Sequence, residues 1–106
     1  MPIPDYQTLM LPLLRFLKDN NEHNIKEAID HLSAEFKLSE EEKMQILNSG
    51  QRIINNRVGW ARTYMVKAGL IEPTRRGFIK ITQIGIEVLT ENPGKIDTKF
   101  LEGFGG

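Results

Sequence analysis

Residues 55–67 gather polar side chains that could read the edges of planar nitrogen heterocycles. On a helix of about 3.6 residues per turn, one face would carry Asn55, Asn56, Gly59, Arg62, Thr63 and Lys67. Side-chain amides can pair bidentately with adenine, and a guanidinium can pair in the same way with guanine. Arg75 and Arg76 follow in a turn-rich segment, and arginine is well suited to bind phosphate. These residue types at this spacing predict recognition of nucleic acid.

Charge is distributed unevenly along the 106-residue chain, although the formal net charge is zero. Residues 1–50 hold five Lys and Arg against nine Asp and Glu, which gives −4. Residues 51–80 hold seven basic residues against one acidic residue, which gives +6, and residues 81–106 stand at −2. A basic face on an otherwise acidic body is typical of a protein that binds a polyanion. Chance clustering on a solvated surface is the alternative.

The sequence contains no recognised pattern for a metal or cofactor site. There is no cysteine, so thiol nucleophiles, disulfides and thiolate zinc ligands are excluded. His23 and His31 have no flanking ligand pattern, and we expect both to be surface residues. Phosphate-binding loops, dinucleotide fingerprints and zinc-protease motifs are absent from the sequence as well. We therefore expect no metal and no cofactor.

Two acidic-x-lysine sequences resemble part of a magnesium-dependent nuclease motif. They are Glu41–Lys43, which follows a distant Pro4-Asp5 pair, and Asp97–Lys99. The chemistry requires the acid and the lysine on one face of a strand, where residues two apart point the same way. Both sequences lie in helical patterns, where residues two apart diverge by about 200°. We therefore predict no catalytic residues and no enzymatic activity for this chain.

Apolar residues at intervals of three and four predict several helices around one core. The first spans about residues 6–18, with Asp5 as its N-cap and Pro12 as a point of kinking or late start. Capping-box patterns predict that a second helix begins at Asn24 and that a short third helix begins at Ser39.

The polar run of residues 55–67 lies on a fourth predicted helix whose other face is apolar. The predicted buried stripe consists of Ile54, Val58, Ala61, Met65 and Ala68. Trp60 falls at the margin of this stripe, where we expect partial burial and not a free stacking platform. Gly69 would end the helix, because glycine tolerates the left-handed conformation that follows many C-caps.

A β-hairpin and a closing helix complete the predicted elements. The strands are the stretches 70–72 and 78–81, and turn-forming residues join them. Arg75 and Arg76 would lie at the tip and project outward, since cationic tips face solvent. Thr82 would cap the closing helix, whose predicted inward residues are Ile84, Val88 and Leu89.

This order of elements is that of a winged helix-turn-helix. We predict a mainly α fold with a minor β part, consisting of about five helices and a small β-hairpin wing. In this fold a recognition helix enters the major groove, and the wing contacts the backbone or the minor groove. The winged-helix domain would occupy residues 1–95. Residues 96–106 would form a C-terminal helical segment and the start of a linker.

Four stretches resemble the N-terminal domain of Mrr-type restriction proteins. They are IPDYQTLMLPLLRFL, NRVGWARTYMVKAGLIE, RRGFIKIT with GIEVL, and NPGKIDTKFLE, which together span roughly residues 3–102. The resemblance implies a winged helix that binds double-stranded DNA through the helix 55–67 and the wing 74–76. In full-length relatives it implies a C-terminal PD-(D/E)xK-type endonuclease domain directed at modified DNA, and these residues lack that domain. The predicted DNA contacts are Asn55, Asn56, Arg62, Thr63, Lys67, Arg75 and Arg76.

Two other functions stay open on the residues alone. A stand-alone winged-helix transcription regulator would need a homodimer, for which Ile96, Phe100 and Leu101 could supply the surface. A protein–protein interaction module would suit the balanced net charge.

The sequence also bears on the localisation of the protein and on recognition of a methylated base. The first residues lack the basic and apolar regions of a signal peptide, and no apolar run could span a bilayer. We therefore expect a cytoplasmic protein without a membrane partner. The sequence pattern shows no aromatic cage for a methylated base, and it does not predict base flipping.

Overall fold

The computed structural model of the protein describes residues 3–104, and this part of the chain is mainly α-helical. Its helices are α1 (Tyr6–Phe16), α2 (Ile25–Glu35), α3 (Glu40–Met44), α4 (Ile53–Lys67), α5 (Gln83–Thr90) and α6 (Thr98–Leu101). Its strands are β1 (His23–Asn24), β2 (Ile71–Arg75) and β3 (Phe78–Ile81). The predicted fold class is confirmed, because helices precede a small antiparallel hairpin and α5 closes the arrangement, as in a winged helix.

The core lies chiefly between α1 and α4, the two helices that pack most extensively on each other. The buried residues of α1 are Leu9, Met10, Leu11, Leu13 and Leu14. The apolar stripe predicted on α4 is confirmed, since each of its five members is at most 5% exposed. Removal of this apolar area from water is a main source of stability. It also leaves the polar side of α4 towards solvent.

Local capping explains where α1 and α3 begin. The Asp5 carboxylate accepts a hydrogen bond from the Thr8 backbone N–H at 2.7 Å, as an N-cap should. Ser39 and Glu42 form the predicted capping box, in which each side chain accepts from the other residue's backbone N–H. The expected late start at Pro12 is wrong, because α1 begins at Tyr6 and continues through the proline.

The sheet holds a strand that the sequence analysis does not anticipate. Its order is β1-β3-β2, and both neighbouring pairs are antiparallel. His23 pairs with Ile79, and Asn24 pairs with Phe78. A strand of two residues has no alternating pattern by which to find it. As a result β3, the second strand of the wing, pairs with β1 on one side and with β2 on the other.

The hairpin is longer, and its tip is shorter, than the sequence indicates. β2 continues through Arg75 with a bulge after Pro73, so Arg76–Gly77 alone form the turn. The Gly77 carbonyl accepts a hydrogen bond from the Ile25 backbone N–H at 2.9 Å. This bond ties the tip of the wing to the start of α2.

Thr82 connects the end of α4 to the start of α5. Its hydroxyl accepts from the Gly85 backbone N–H at 3.0 Å, which confirms the predicted N-cap. The same hydroxyl donates to the Gly69 carbonyl at 2.6 Å, just after α4 ends. Gly69 has a φ of 86°, as expected for the residue that terminates this helix.

The inward face of α5 differs from the predicted one at a single position. Val88 is buried and Leu89 packs against the core, but Ile84 is 44% exposed, so its predicted inward placement is wrong. Gly85 takes the inward place at this point. The backbone there lies so close to the carbonyl of Leu70 that no side chain fits between them.

The C-terminal segment packs on the domain itself. Ile96 and Leu101 are 2% and 5% exposed, and Phe100 packs against the same core. The Gln7 side-chain carbonyl accepts from the Thr98 backbone N–H at 2.9 Å, which fixes α6 beside α1. The predicted use of these apolar residues as a dimer surface is therefore wrong, because the chain already buries them internally.

Two sequence predictions concern the ends of the chain. The domain boundary placed after residue 95 stays a prediction, and Gly105 and Gly106 of the predicted linker lie outside the described residues. Within residues 3–104, none of the helices is both long and apolar enough to cross a bilayer.

The close approach at Gly85 generates the first testable prediction. A Cβ added at Gly85 would lie 2.3 Å from the Leu70 carbonyl oxygen and 2.6 Å from Ile81 Cγ1. The substitution Gly85→Ala should therefore lower the free energy of unfolding by about 3 kcal/mol, measured by urea denaturation, because the clash involves backbone.

Gly59→Ala is the matched control, since Gly59 also lies within a helix but a Cβ there would meet no atom within 4 Å. Alanine is the better helix former by about 1 kcal/mol, so this variant should be more stable than the wild type. Equal effects of the two substitutions would contradict the close packing of α5 on the chain before β2.

A histidine with two carboxylate neighbours lies at the base of the wing. His23 contacts Asp19 at 2.8 Å and Glu27 at 3.2 Å, and its side chain is only 14% exposed, so its prediction as a plain surface residue is wrong. Partial desolvation lowers the pKa of His23, but the hydrogen bonds and charges of the two carboxylates outweigh it and raise the pKa above 6.5. Because Glu27 turns to His23, Asn24 caps α2 without the predicted capping box.

The raised pKa of His23 predicts how stability depends on pH. The protonated imidazole stabilises the fold below pH 6.5, and this contribution is lost as the pH rises through the raised folded-state pKa. The free energy of unfolding should therefore fall as the pH is raised from about 6.5 through the raised pKa, and it should fall less in His23→Gln. His31→Gln, at an exposed position on α2, is the control. A His23→Gln variant with the wild-type pH dependence would contradict this role.

Candidate nucleic-acid interface

The outer side of α4 carries all five helical residues predicted to contact DNA. Thr63 and Lys67 are exposed, whereas Asn55, Asn56 and Arg62 are half-buried. Successive helical residues differ by about 100° around the axis, which places Asn55 and Arg62 on one flank of the helix. The other three lie nearly opposite the buried stripe. The five residues therefore lie on the solvent side of the helix, two on its flank and three on its outer side, and together they are called the polar surface of α4.

These five side chains differ in whether they already have partners. The Asn56 amide donates to the Gln51 side-chain carbonyl at 3.0 Å, and the Thr63 hydroxyl donates to the Gly59 carbonyl at 2.9 Å. Over the described part of the chain, Arg62 and Lys67 form no ion pair or side-chain hydrogen bond. The two cations are thus free to contact an external anion.

The two arginines of the wing are in different environments. Arg76 lies in the turn, is exposed, and has no ion-pair partner among residues 3–104. Arg75 is also exposed, but its Nη2 lies 3.1 Å from a carboxylate oxygen of Glu22. Its guanidinium lies 3.9 Å from the centre of the Phe78 ring, in a cation–π contact. Both arginines are exposed and project outward as expected, but Arg75 lies at the end of β2 and not at the tip, and it already has an internal partner.

Glu22, which the sequence analysis does not single out, organises this part of the wing. Its carboxylate accepts hydrogen bonds from the Thr74 hydroxyl and from Arg75 Nε. The bond from Thr74 lowers the pKa of Glu22 most, and the charges of Arg75 and Lys80 lower it further against partial desolvation. The wing therefore presents a carboxylate beside its cations. No local pattern signals this pairing, because Glu22 and Arg75 are distant in sequence.

An aromatic cluster lies beside the polar surface of α4. Trp60 is 50% exposed, which is the partial burial expected from the sequence. Its ring centre lies 6.2 Å from that of Tyr64, which in turn stacks on Tyr6 at 5.3 Å with an interplanar angle of 19°. A shallow cavity of about 460 Å³ opens next to these rings, and Asn56 and Arg57 also line it. Sequence reasoning missed this cluster because Tyr6 comes from α1.

The basic residue nearest this cavity is engaged within the chain. Arg57 donates to the carbonyl of Ile3 at 2.6 Å and to that of Pro4 at 3.3 Å. The hydrogen bond from the Thr8 backbone N–H is the main reason that the pKa of Asp5 lies below its usual value, and the charge of Arg57 contributes less. Arg57 therefore adds to the charge count of residues 51–80 but holds the start of the chain in place.

The acidic residues of the two nuclease-like sequences have other roles. Glu41 and Lys43 lie on α3, where residues two apart diverge. Asp97 caps α6 by accepting from the Phe100 backbone N–H at 2.9 Å. Among the described residues, no three His, Asp or Glu side chains cluster in a way that could hold a metal ion.

Comparisons with known proteins show which family the sequence matches. The sequence matches the family model of the Mrr N-terminal domain over residues 6–91. It is also 28% identical over 94 residues to the type IV methyl-directed restriction enzyme EcoKMrr of Escherichia coli (strain K12). That alignment covers 88% of this chain but 31% of the relative, so the chain spans about a third of the relative's length. No solved structure is significantly similar to the chain.

The family match covers α1 to α5 and therefore every residue of the polar surface and of the wing. The methyl-directed enzyme aligns over nearly the whole chain. The chain thus belongs to the Mrr N-terminal domain family, which associates it with a restriction system.

Proposed function

We propose that this domain binds double-stranded DNA and targets a restriction protein to modified DNA. In this proposal α4 enters the major groove and the hairpin β2–β3 lies on the phosphate backbone as a wing. The observation that carries the proposal is the fold of residues 51–80, whose net charge is +6, into one helix and the adjacent hairpin. An electropositive surface of this kind attracts a polyanion although the whole chain is neutral.

The free side chains suggest separate roles for the helix and the wing. Arg62 and Asn55 on one flank of α4 suit hydrogen bonding to base edges, as arginine pairs with guanine and asparagine with adenine. Lys67 and Arg76 suit phosphate contacts, which position a protein on DNA without reading its sequence. Asn56, Thr63 and Arg75 would have to exchange an internal partner for DNA, so we assign them a smaller share of the contacts.

Cleavage in this proposal belongs to another region of the full-length protein. The relative is described as a methyl-directed restriction enzyme, and this chain aligns with 31% of its length. The resemblance implies that a separate endonuclease domain supplies the catalytic acids and the metal. This domain would act in the cytoplasm and deliver that nuclease to its target.

Salt dependence of DNA binding tests the proposal directly. About three to five phosphate contacts should give a slope of roughly −3 to −4.5 for log affinity against log salt concentration. Fluorescence anisotropy with a labelled duplex measures this slope. Arg76→Glu should weaken binding about tenfold or more and reduce the steepness of the slope by about 1, because a charge-assisted bond to phosphate is lost.

Lys99→Glu is the matched control, since it makes the same charge change on α6, outside residues 51–80. It should weaken binding far less than Arg76→Glu. Equal losses for both variants would indicate a general charge effect instead of a wing contact. Absence of binding at low salt would overturn the proposal, and the interaction-module function would then be the better explanation.

The Glu22 carboxylate generates a second prediction about the wing. Glu22→Gln removes a negative charge next to the proposed phosphate contact and releases Arg75 from its ion pair. Affinity for duplex DNA should therefore rise about two- to fivefold at low salt, in line with the energy of an exposed ion pair. Anisotropy titrations of both proteins measure the change.

Glu35→Gln provides the control, because it removes one charge from α2 at an exposed ion pair with His31. It should leave the affinity nearly unchanged. If Glu22→Gln instead weakens binding while the fold stays intact, the ion pair serves to hold Arg75 in its binding position.

A further inference from the structure

We propose that Trp60, supported by Tyr64 and Tyr6, contacts the methyl group of a modified base in the major groove. The inference rests on the proposed DNA-binding function and names the residue that would distinguish modified from unmodified duplex. It follows from the position of the indole on α4, from its exposure and from the chemistry of the cavity beside it.

Trp60 lies midway along α4, at the edge of the polar surface formed by Asn56, Thr63 and Lys67. It follows Asn56 by four residues and precedes Thr63 by three, so the three side chains are neighbours on the helix. On the helical wheel it falls within about 60° of the direction opposite the buried stripe. A helix docked through its outer side, which carries Asn56, Thr63 and Lys67, would therefore bring the indole close to the base edges of the major groove.

The exposure of this cluster is more typical of a binding surface than of side chains that only stabilise the core. Large aromatic side chains supply much of the energy of protein cores and interfaces, yet half of the Trp60 surface remains in contact with solvent. Tyr64, its neighbour, is 36% exposed. The stack of Tyr64 on Tyr6 fixes the position of the ring that Trp60 contacts. The result is an apolar surface beside the polar surface of α4.

Three polar side chains around the cavity already have partners within the chain, and the other three lining residues are aromatic. Asn56 donates its amide to Gln51, and Arg57 donates to the carbonyls of Ile3 and Pro4. The Asp5 carboxylate accepts from the Thr8 backbone, and its negative charge disfavours a phosphate group at this place. The aromatic rings therefore offer apolar contact at this place, while the Asp5 carboxylate opposes a phosphate.

A methyl group on a paired base has this chemistry and is accessible from the major groove. The C5 methyl of 5-methylcytosine projects there in the same position as the thymine methyl, and the N6 substituent of adenine lies on the same edge. An aromatic ring in contact with either group removes apolar surface from water. Burial of one methyl-sized group corresponds to about a fourfold gain in affinity. The base remains stacked, so no base flipping is required.

The test compares duplexes of one sequence in three forms: unmodified, with every cytosine replaced by 5-methylcytosine, and with every adenine replaced by N6-methyladenine. Wild type should bind one modified form at least about fourfold more tightly than the unmodified duplex. The preferred form identifies which methyl group is read. Because Trp60 is the only tryptophan in the chain, its fluorescence should change more with that form than with the unmodified duplex.

Variants separate this contact from folding and from general DNA binding. Trp60→Ala should lose the preference, so that it binds the modified and unmodified duplexes within about twofold of each other. Its salt slope should stay steep, because the substitution removes no cation. Trp60→Phe should retain part of the preference, which a merely structural change would not predict. Ile84→Ala, which removes an exposed apolar side chain from α5, is the control and should keep the full preference.

The outcomes also distinguish this inference from the proposed function. Salt-sensitive binding without preference for either modified form would overturn the role of Trp60 and leave the DNA-binding proposal intact. A preference that persists in Trp60→Ala would likewise overturn it. Absence of binding to all three duplexes at low salt would overturn the proposed function and this inference together.

Discussion

The packing of α1 against the apolar stripe of α4 is the constraint on which the other features depend. It buries the stripe almost completely and so determines which side of α4 faces solvent. It places Tyr6 of α1 beside Tyr64 of α4, and it lets Arg57 hold the carbonyl of Ile3. Because β2 starts a few residues after α4 ends, the same packing also determines where the wing lies relative to α4. Thus one side of α4 belongs to the core, and the other side belongs to the candidate interface.

Features encoded by neighbouring residues could be predicted from the sequence. The stripe of α4, the capping box at Ser39 and the cap at Thr82 follow from spacing and side-chain type, and all of them form. The errors concern contacts between distant segments or elements too short to show a period. β1 has two residues, and on α5 the inward place belongs to Gly85 and not to Ile84, because the backbone of Leu70 approaches Gly85 too closely for a side chain. Only the three-dimensional packing contains that information.

In the candidate site, too, features encoded by neighbouring residues were predictable, and contacts between distant segments were not. Periodicity correctly assigns the polar residues of α4 to one side of the helix, since burial depends on the spacing of their apolar neighbours. It cannot show which of these residues is free, because Glu22 reaches Arg75 across more than fifty positions of sequence. Likewise, the ring that supports Tyr64 comes from α1. A charge count over residues 51–80 therefore overstates the cations available to a ligand, while a motif search overlooks the aromatic surface.

The two outer strands of the sheet limit the ways in which this protein can associate with another chain. An edge strand with unpaired backbone groups can recruit a further strand and so begin aggregation. Here one edge is the two-residue β1, and the other is β2, which contains Pro73, a bulge and the charged residues Glu72 and Arg75. Proline, bulges and edge charges all oppose strand addition. The sheet is thus protected against β-augmentation, and the surface of the wing remains available for contacts made by its side chains.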